Sequence, residues 1–245
     1  MLKNAAQIPA CRASRYSDNA WSRFEDPVTE ERVLTVYWKD SLAGTAGTFL
    51  LRAWPHDLAL LAAGHVLLEK KEDSIPKRAI VSQEEEYTFS VVLRAGAAEQ
   101  VCGNIPQPLS PAVLLDAMRD FISAPGPWDV TGCFHRAGVF DPRANALTAR
   151  AEDIGRHNCI DRLAGWGNDR GVSFADKVLL TSARLTGSLC GKALRAGFRV
   201  LVSRSAVTTE ALALAREAGA VLIGFARPEE DRFTLYGDIP DYMDI

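Results

Sequence analysis

The chain has 245 residues, 47% hydrophobic and 24% charged, the balance of an ordinary globular protein with enough apolar mass for a substantial core. Its 28 Lys plus Arg against 31 Asp plus Glu give a formal charge of −3, which carries no global signal for a nucleic-acid partner, so any anion site has to be local. No run reaches the apolar length of a membrane span and the N-terminal segment lacks the apolar middle of a signal peptide, so no membrane association and a cytoplasmic location are expected.

At roughly 100–200 residues per domain the length fits one large domain or two small ones, and two are expected. Residues 1–30 mix Ser, Arg, Asn and Asp without a sustained period and read as an irregular N-terminal arm. Residues 31–105 read as a small α+β domain. In it the β-rich runs VLTVYW and TFLLRAW flank a Gly-containing stretch, Asp40 to Gly47, that suggests a hairpin. Asp57 precedes LALLAAGHVLLEK, where Leu58, Leu61, Val66 and Leu68 lie near helical spacing, so a helix with Asp57 as N-cap is expected. His65 within it has no second histidine or cysteine at i+4 and reads as a packed histidine rather than a metal ligand. Strands at Ala79 to Val81 and Tyr87 to Leu93 complete a ββαββ unit. The stretch Ala95 to Gln107 has no period and is rich in Gly and Ala, so it reads as an exposed loop carrying Cys102.

Residues 106–245 read as an α/β domain. A helix from Ala112 to Phe121, capped by Ser110, is ended by PGPW. Further on, KVLLTS, FRVLVS and AVLIGFA alternate with helices from about Gly187 to Arg195 and about Thr208 to Ala218, with Gly197 and Gly219 at the C′ positions. Strands that are nearly continuous Val, Leu and Ile suit a parallel sheet covered on both faces.

In such a sheet ligands collect outside the carboxyl ends of the strands, where helix N-termini favour anions. The loops there, SARLTGS, SRSAVTT and ARPEEDR, bring Arg184, Arg204 and Arg227 to one edge. Either a phosphate or diphosphate sits among the three guanidinium groups, or they point outward as solvated surface. The string AEDIGRHNCIDRLAGW crowds Glu152, Asp153, Arg156, His157, Asn158 and Asp161 at a helix start, to cap and bridge it or to reach a ligand. Cys102, in its loop, is the nucleophile candidate by position; Cys159 and Cys190 read as small buried hydrophobes. Cys133 and His135 in TGCFH could pair on a metal. A zinc deaminase needs His-x-Glu and a later Pro-Cys-x-x-Cys, however, and neither occurs, so no metal site is expected.

The strings EDIGRHNCIDRLAGW, TGCFH and the stretch KVLLTS to FTLYG resemble the FdhD family of formate dehydrogenase accessory proteins, and HDLALLAAGHVLLE resembles that family's first-domain helix. The resemblance implies a cytidine-deaminase-like α/β fold in the C-terminal domain, without the deaminase zinc. It implies a sulfurtransferase that takes sulfur as a persulfide from a cysteine desulfurase and passes it to the molybdenum bis-guanine dinucleotide cofactor of formate dehydrogenase, with guanosine diphosphate as a mimic. Carried over residue by residue, the nucleotide site comprises His157, Asn158, Ser182, Arg184, Ser205, Thr208 and the loop Phe225, Ala226, Arg227, Pro228, Glu229 and Glu230. The persulfide cysteine is Cys102. The family's Cys-Gly-x-Cys-Gly loop is reduced here to Gln100-Val101-Cys102-Gly103-Asn104-Ile105, so Cys102 matches either family cysteine and the other is missing. A non-catalytic cofactor-binding chaperone of the same fold is therefore the alternative, and Ser188 stands where the family more often has Glu. Accessory proteins of this kind often pair, which admits a homodimer.

Overall fold

A computed structural model describes residues 8–70, 77–96, 109–238 and Met243. The expectation of an irregular arm is corrected over its larger part: β1 (Ala10–Ser17) and β2 (Ala20–Pro27) pair antiparallel in full register. Asp18 and Asn19 form the connection, both at positive φ, which these two residue types tolerate and a two-residue hairpin turn requires. Most of the hairpin is exposed, Tyr16 and Trp21 included, so it lacks the buried alternate face by which a strand is usually recognised in sequence.

The next unit is a four-stranded sheet in the order β4-β3-β6-β5, made of β3 (Arg32–Asp40), β4 (Thr45–Ala53), β5 (Lys77–Glu85) and β6 (Thr88–Ala95). Only β3 and β6 run parallel. Alternate residues Leu34, Val36 and Trp38 of β3 and Phe89, Val91 and Leu93 of β6 point to one face, where α1 (Leu58–Glu69) covers them with Leu61, Ala62 and Val66. Asp57 stands at the N-cap position as expected. Its backbone is left-handed, however, and its side chain caps nothing; the carboxylate meets His56 Nδ1 at 3.0 Å instead.

The larger sheet has the order β12-β11-β10-β9-β7-β8. Here β7 (His135–Asp141) lies antiparallel between β8 (Ala146–Asp153) and β9 (Val178–Thr181). The strands β9, β10 (Val200–Ser203) and β11 (Val221–Arg227) are mutually parallel, as their apolar runs predict, and β12 (Arg232–Tyr236) closes the far edge antiparallel. Successive residues serve opposite faces. Val178, Leu180, Val200, Val202 and Ile223 pack under α2 (Pro111–Ser123) with Met118 and Phe121. Leu179, Leu201 and Leu222 pack under α4 (Arg156–Arg170), α5 (Gly187–Ala196) and α6 (Thr209–Glu217) with Ile160, Leu163 and Leu189. A strand buried on both faces has no polar side to show, which is why these segments read as unbroken apolar runs. Ser110 caps α2 through Val113 N at 3.2 Å, and a one-turn helix, α3 (Pro127–Thr131), follows its end.

The two sheets are joined by the crossing of α1 and α4. A Cβ on Gly64 would overlap the backbone of Asp161, and one on Gly165 the backbone of Leu60, so the helices meet backbone to backbone. No helix among the described residues is long and apolar enough to cross a membrane.

Candidate functional site

The start of α4 is built around Asp153, whose carboxylate is fully buried at the end of β8. One oxygen accepts from Gly155 N and Asn158 Nδ2, both at 2.9 Å. The other accepts from Arg162 Nε at 3.0 Å and Nη2 at 2.5 Å. Arg162 also donates to the carbonyls of Trp54, at 2.8 Å, and His56, while Asn158 Nδ2 donates to the carbonyl of Arg52 at 2.8 Å. Four residues of the EDIGRHN…R string therefore clip the end of β4 and the chain just after it onto α4, and every donor in the clip has an acceptor. Beside it, Asp161, also fully buried, takes Lys192 Nζ on both oxygens at 2.9 Å and His65 Nδ1 at 3.0 Å, and Lys192 reaches Glu69 at 3.1 Å. His65 is thus a packed partner of a carboxylate. Glu152 pairs with Arg136 at 3.4 Å and Arg150 at 3.3 Å.

The carboxyl edge of the larger sheet is continuous. Ser182 extends the β7–β9 pairing: its N–H donates to Arg136 O at 3.1 Å, and its Oγ accepts from Arg136 N at 2.9 Å. Arg204 N donates to Thr181 O at 3.0 Å and Phe225 N to Ser205 O at 2.9 Å, so the three strand ends are stitched to one another. Thr186 caps α5 through Leu189 N and Thr208 caps α6 through Ala211 N. His157 reaches this edge through Ser188, with Nε2 and Oγ 3.2 Å apart. Burial first, and then Lys192 and Arg156, hold its imidazole below the ordinary histidine range.

Of the residues singled out in the sequence, Ser182, Arg184, Ser205, Thr208 and residues 225–230 lie along this edge. Asn158 is tied into the clip below it. Ala226 and Pro228 are buried, so they offer backbone only. The three arginines divide. Arg204 makes two hydrogen bonds to Glu229, at 3.0 and 2.6 Å, and Arg227 meets Glu230 at 2.7 Å, with Arg232 on the same carboxylate at 2.5 Å. The anions beside these two guanidinium groups are thus the chain's own, an arrangement visible in the string ARPEEDR but not used in reading it. Arg184 is exposed and makes no side-chain bond among the described residues.

Two groups that the sequence places in TGCFH and at the start of α4, but that are not among the residues carried over for the nucleotide site, face the same edge. His135 opens β7 beside Asp153, and its pKa is lowered by burial first and then by Arg156 and Arg184. The Nε of Arg156 is buried with no hydrogen-bond partner among the described residues.

The cysteines sort by burial. Burial pushes the Cys190 thiol up to about 11, and burial together with Asp153 pushes Cys159 well above the usual thiol range, so both are inert small hydrophobes at neutral pH, as their sequence context suggests. Cys133 and Cys11 are exposed. Among the described residues no group of three or more His, Cys, Asp and Glu could hold a metal. Cys102 lies outside the described residues.

A family model described as the FdhD/NarQ family matches residues 84–239. A Methanocaldococcus jannaschii protein named Protein FdhD is 36% identical over 109 residues, 44% of this chain and 47% of that one. A Nocardia farcinica protein named sulfur carrier protein FdhD is 38% identical over 122 residues, 49% of this chain and 43% of that one. The chain spans about half the length of the curated relatives it matches. Among solved structures, a putative formate dehydrogenase accessory protein from Desulfotalea psychrophila superposes with a TM-score of 0.77 at 21% identity, over 96% of this chain and 98% of that one, which shows a common fold.

Proposed function

The chain belongs to the FdhD/NarQ family, and on that premise we propose that it is an accessory protein to formate dehydrogenase. It holds a molybdenum bis-guanine dinucleotide cofactor as cargo at the carboxyl edge of the larger sheet and passes sulfur to it through Cys102. The sulfur comes from a cysteine desulfurase. The names of the relatives and of the structural neighbour support this role. The strand order, with an antiparallel β7 between β8 and the parallel β9, β10 and β11, supports a cytidine-deaminase-like arrangement for this sheet.

The observation that carries nucleotide binding is Phe225. A bulky side chain at φ 50° costs about 1–3 kcal/mol and persists only where the surroundings enforce it. Here the register shift between Gly224 and Arg227 and the bond from Phe225 N to Ser205 O enforce it. The ring stands at the sheet edge with the Arg227 guanidinium 5.6 Å from its centroid, a pair of flat groups suited to stacking a purine. Glu229 and Glu230 beside them supply acceptors for the N1–H and 2-amino donors that distinguish guanine from adenine.

In the transfer, the Cys102 thiolate attacks the outer sulfur of the desulfurase persulfide, the donor's S–S bond breaks and the donor thiolate leaves. One thiol suffices for that exchange. Intact-mass measurement after incubation with a cysteine desulfurase and cysteine tests it: the chain gains the mass of one sulfur atom, and Cys102→Ala gains none. If the two proteins gain sulfur equally, or neither does, transfer through Cys102 is refuted.

A second reading, a chaperone that holds the cofactor without moving sulfur, is favoured by one observation: Gln100 to Ile105 contains a single cysteine. It predicts that Cys102→Ala restores formate dehydrogenase activity in cells lacking the protein.

A further inference from the structure

We infer that the phosphate groups of the nucleotide bind at the corner formed by His135, Arg156, Arg184 and the start of α4, while Arg204 and Arg227 serve the base. This rests on the reading that the sheet edge takes a guanine nucleotide.

The corner is assembled by three elements. β7 begins at His135 beside the end of β9, through the two Arg136–Ser182 bonds at 2.9 and 3.1 Å. Across β7, His135 pairs with Asp153 of β8. The first turn of α4 lies over it, with Cys159 Sγ 3.4 Å from His135 O. Arg156 opens that turn, and Arg184 follows β9. Gly155 is the N-cap of α4 and has no side chain with which to cap, so the first backbone N–H groups of this 15-residue helix lack a side-chain acceptor.

Charge decides between the corner and the other end of the edge. The acidic groups nearest the corner are all engaged elsewhere: Asp153 by Arg162, Glu152 by Arg136 and Arg150, Asp161 by Lys192 and His65. Arg156 and Arg184 consequently make no ion pair with a carboxylate among the described residues. The buried Arg156 Nε has no acceptor, a costly condition that an oxyanion relieves. Arg156 lies in the same first turn of α4 as Cys159, whose thiol meets His135 O, Arg184 comes two residues after the Ser182 that pairs with Arg136, and both guanidinium groups disfavour protonation of His135. At the other end, a phosphate would have to displace Glu229 from two hydrogen bonds or Glu230 from two arginines. A neutral guanine base has no such conflict.

Titration calorimetry with guanosine diphosphate and, separately, with inorganic pyrophosphate tests the assignment on the full chain. Arg156→Gln and Arg184→Gln each weaken both ligands by about tenfold or more, the usual worth of one charge-assisted hydrogen bond. Arg204→Gln and Arg227→Gln change pyrophosphate affinity by less than about threefold, since exposed charges act weakly at a distance. Arg184 is exposed, so its variant folds, and Arg156→Lys recovers part of the loss if charge is what matters. A loss of pyrophosphate binding at Arg204→Gln or Arg227→Gln as large as at Arg184→Gln overturns the assignment and leaves the nucleotide reading standing. Pyrophosphate bound through Arg156 and Arg184, with guanosine diphosphate no tighter, upholds the corner and sinks the guanine reading. Wild-type protein that binds neither ligand overturns both.

Discussion

At the β10–β11 end of the sheet edge, Arg204 and Arg227 are each held by a carboxylate of the turn after β11, whereas at the β7–β9 end Arg156 and Arg184 face only carboxylates already committed to other partners. The two ends share one sheet and the same kind of loop, so counting arginines does not separate them. What separates them is where the acids go. Glu229 and Glu230 are exposed and stay beside their arginines. Asp153, Glu152 and Asp161 are buried and spent on holding the frame. An arginine-rich edge therefore marks an anion site only where the local acids have been drawn away from it.

The largest expected effect comes from breaking the frame under the unpaired corner. Asp153→Ala strands the buried Arg162 guanidinium and is expected to destabilise the fold by about 3–5 kcal/mol in urea unfolding. A loss under about 1 kcal/mol would mean that the carboxylate is not a structural member and is free for a ligand. Next in size, Gly165→Ala forces a Cβ against the Leu60 backbone and pushes α1 off α4, costing about 1–3 kcal/mol. The same variant should loosen the corner, because the clip from Asn158 and Arg162 to Arg52, Trp54 and His56 crosses the same junction. An unchanged unfolding midpoint would show that the helices can slide apart without loss.

The comparison also explains what the sequence makes legible. The runs VLLT, VLVS and VLIGFAR declare a parallel sheet because burial on both faces removes every polar alternation, and Gly197 and Gly219 end their helices at positive φ as their positions suggest. Ser182, Arg184, Ser205, Thr208 and residues 225–230 fall on one edge because each follows a strand of that sheet. Three features are not readable in this way. The β1–β2 hairpin buries almost nothing, and its one local signal is the Asp18-Asn19 turn. The β7–β8 pair passes unnoticed because HRAGVFD and ALTARAED mix arginines with the apolar residues, and Arg136 and Arg150 are buried or half-buried only because Glu152 and the carbonyls of Ile122 and Ala124 receive them. The division of the arginines depends on carboxylates brought together by packing: Asp153 finds its Arg162 inside one continuous sequence string, but Glu152 finds Arg136 only across β7 and β8.

A smaller effect tests the paired end directly. Arg204→Gln removes a two-bond contact between exposed groups, so its stability cost is expected within about 1 kcal/mol and to shrink further in high salt. A larger cost that survives high salt would show that the Arg204–Glu229 pair holds the turn after β11, and the two ends would then differ less than their charges suggest.

The finest test is the pH dependence of the corner. The groups around His135 are Arg156 on α4, Arg184 after β9 and Asp153 at the end of β8; only the last favours the imidazolium, and burial with the two arginines outweighs it. The folded-state pKa thus lies below the ordinary value of 6.5. A depressed pKa means that the unfolded chain takes up the proton first, so the contribution of His135 to stability is complete above that ordinary value and is lost as pH falls through the lower folded one. His135→Gln should flatten this acid limb of the unfolding curve, with little change at pH 8. A bound phosphate reverses the sign at the same residue, because its charge favours the imidazolium that the arginines oppose. Pyrophosphate affinity should then rise as pH falls below about 6.5, and the rise should vanish in His135→Gln. The same rise in the variant would assign the titration to His157, whose imidazole is also held low and which faces Ser188 on the neighbouring turn.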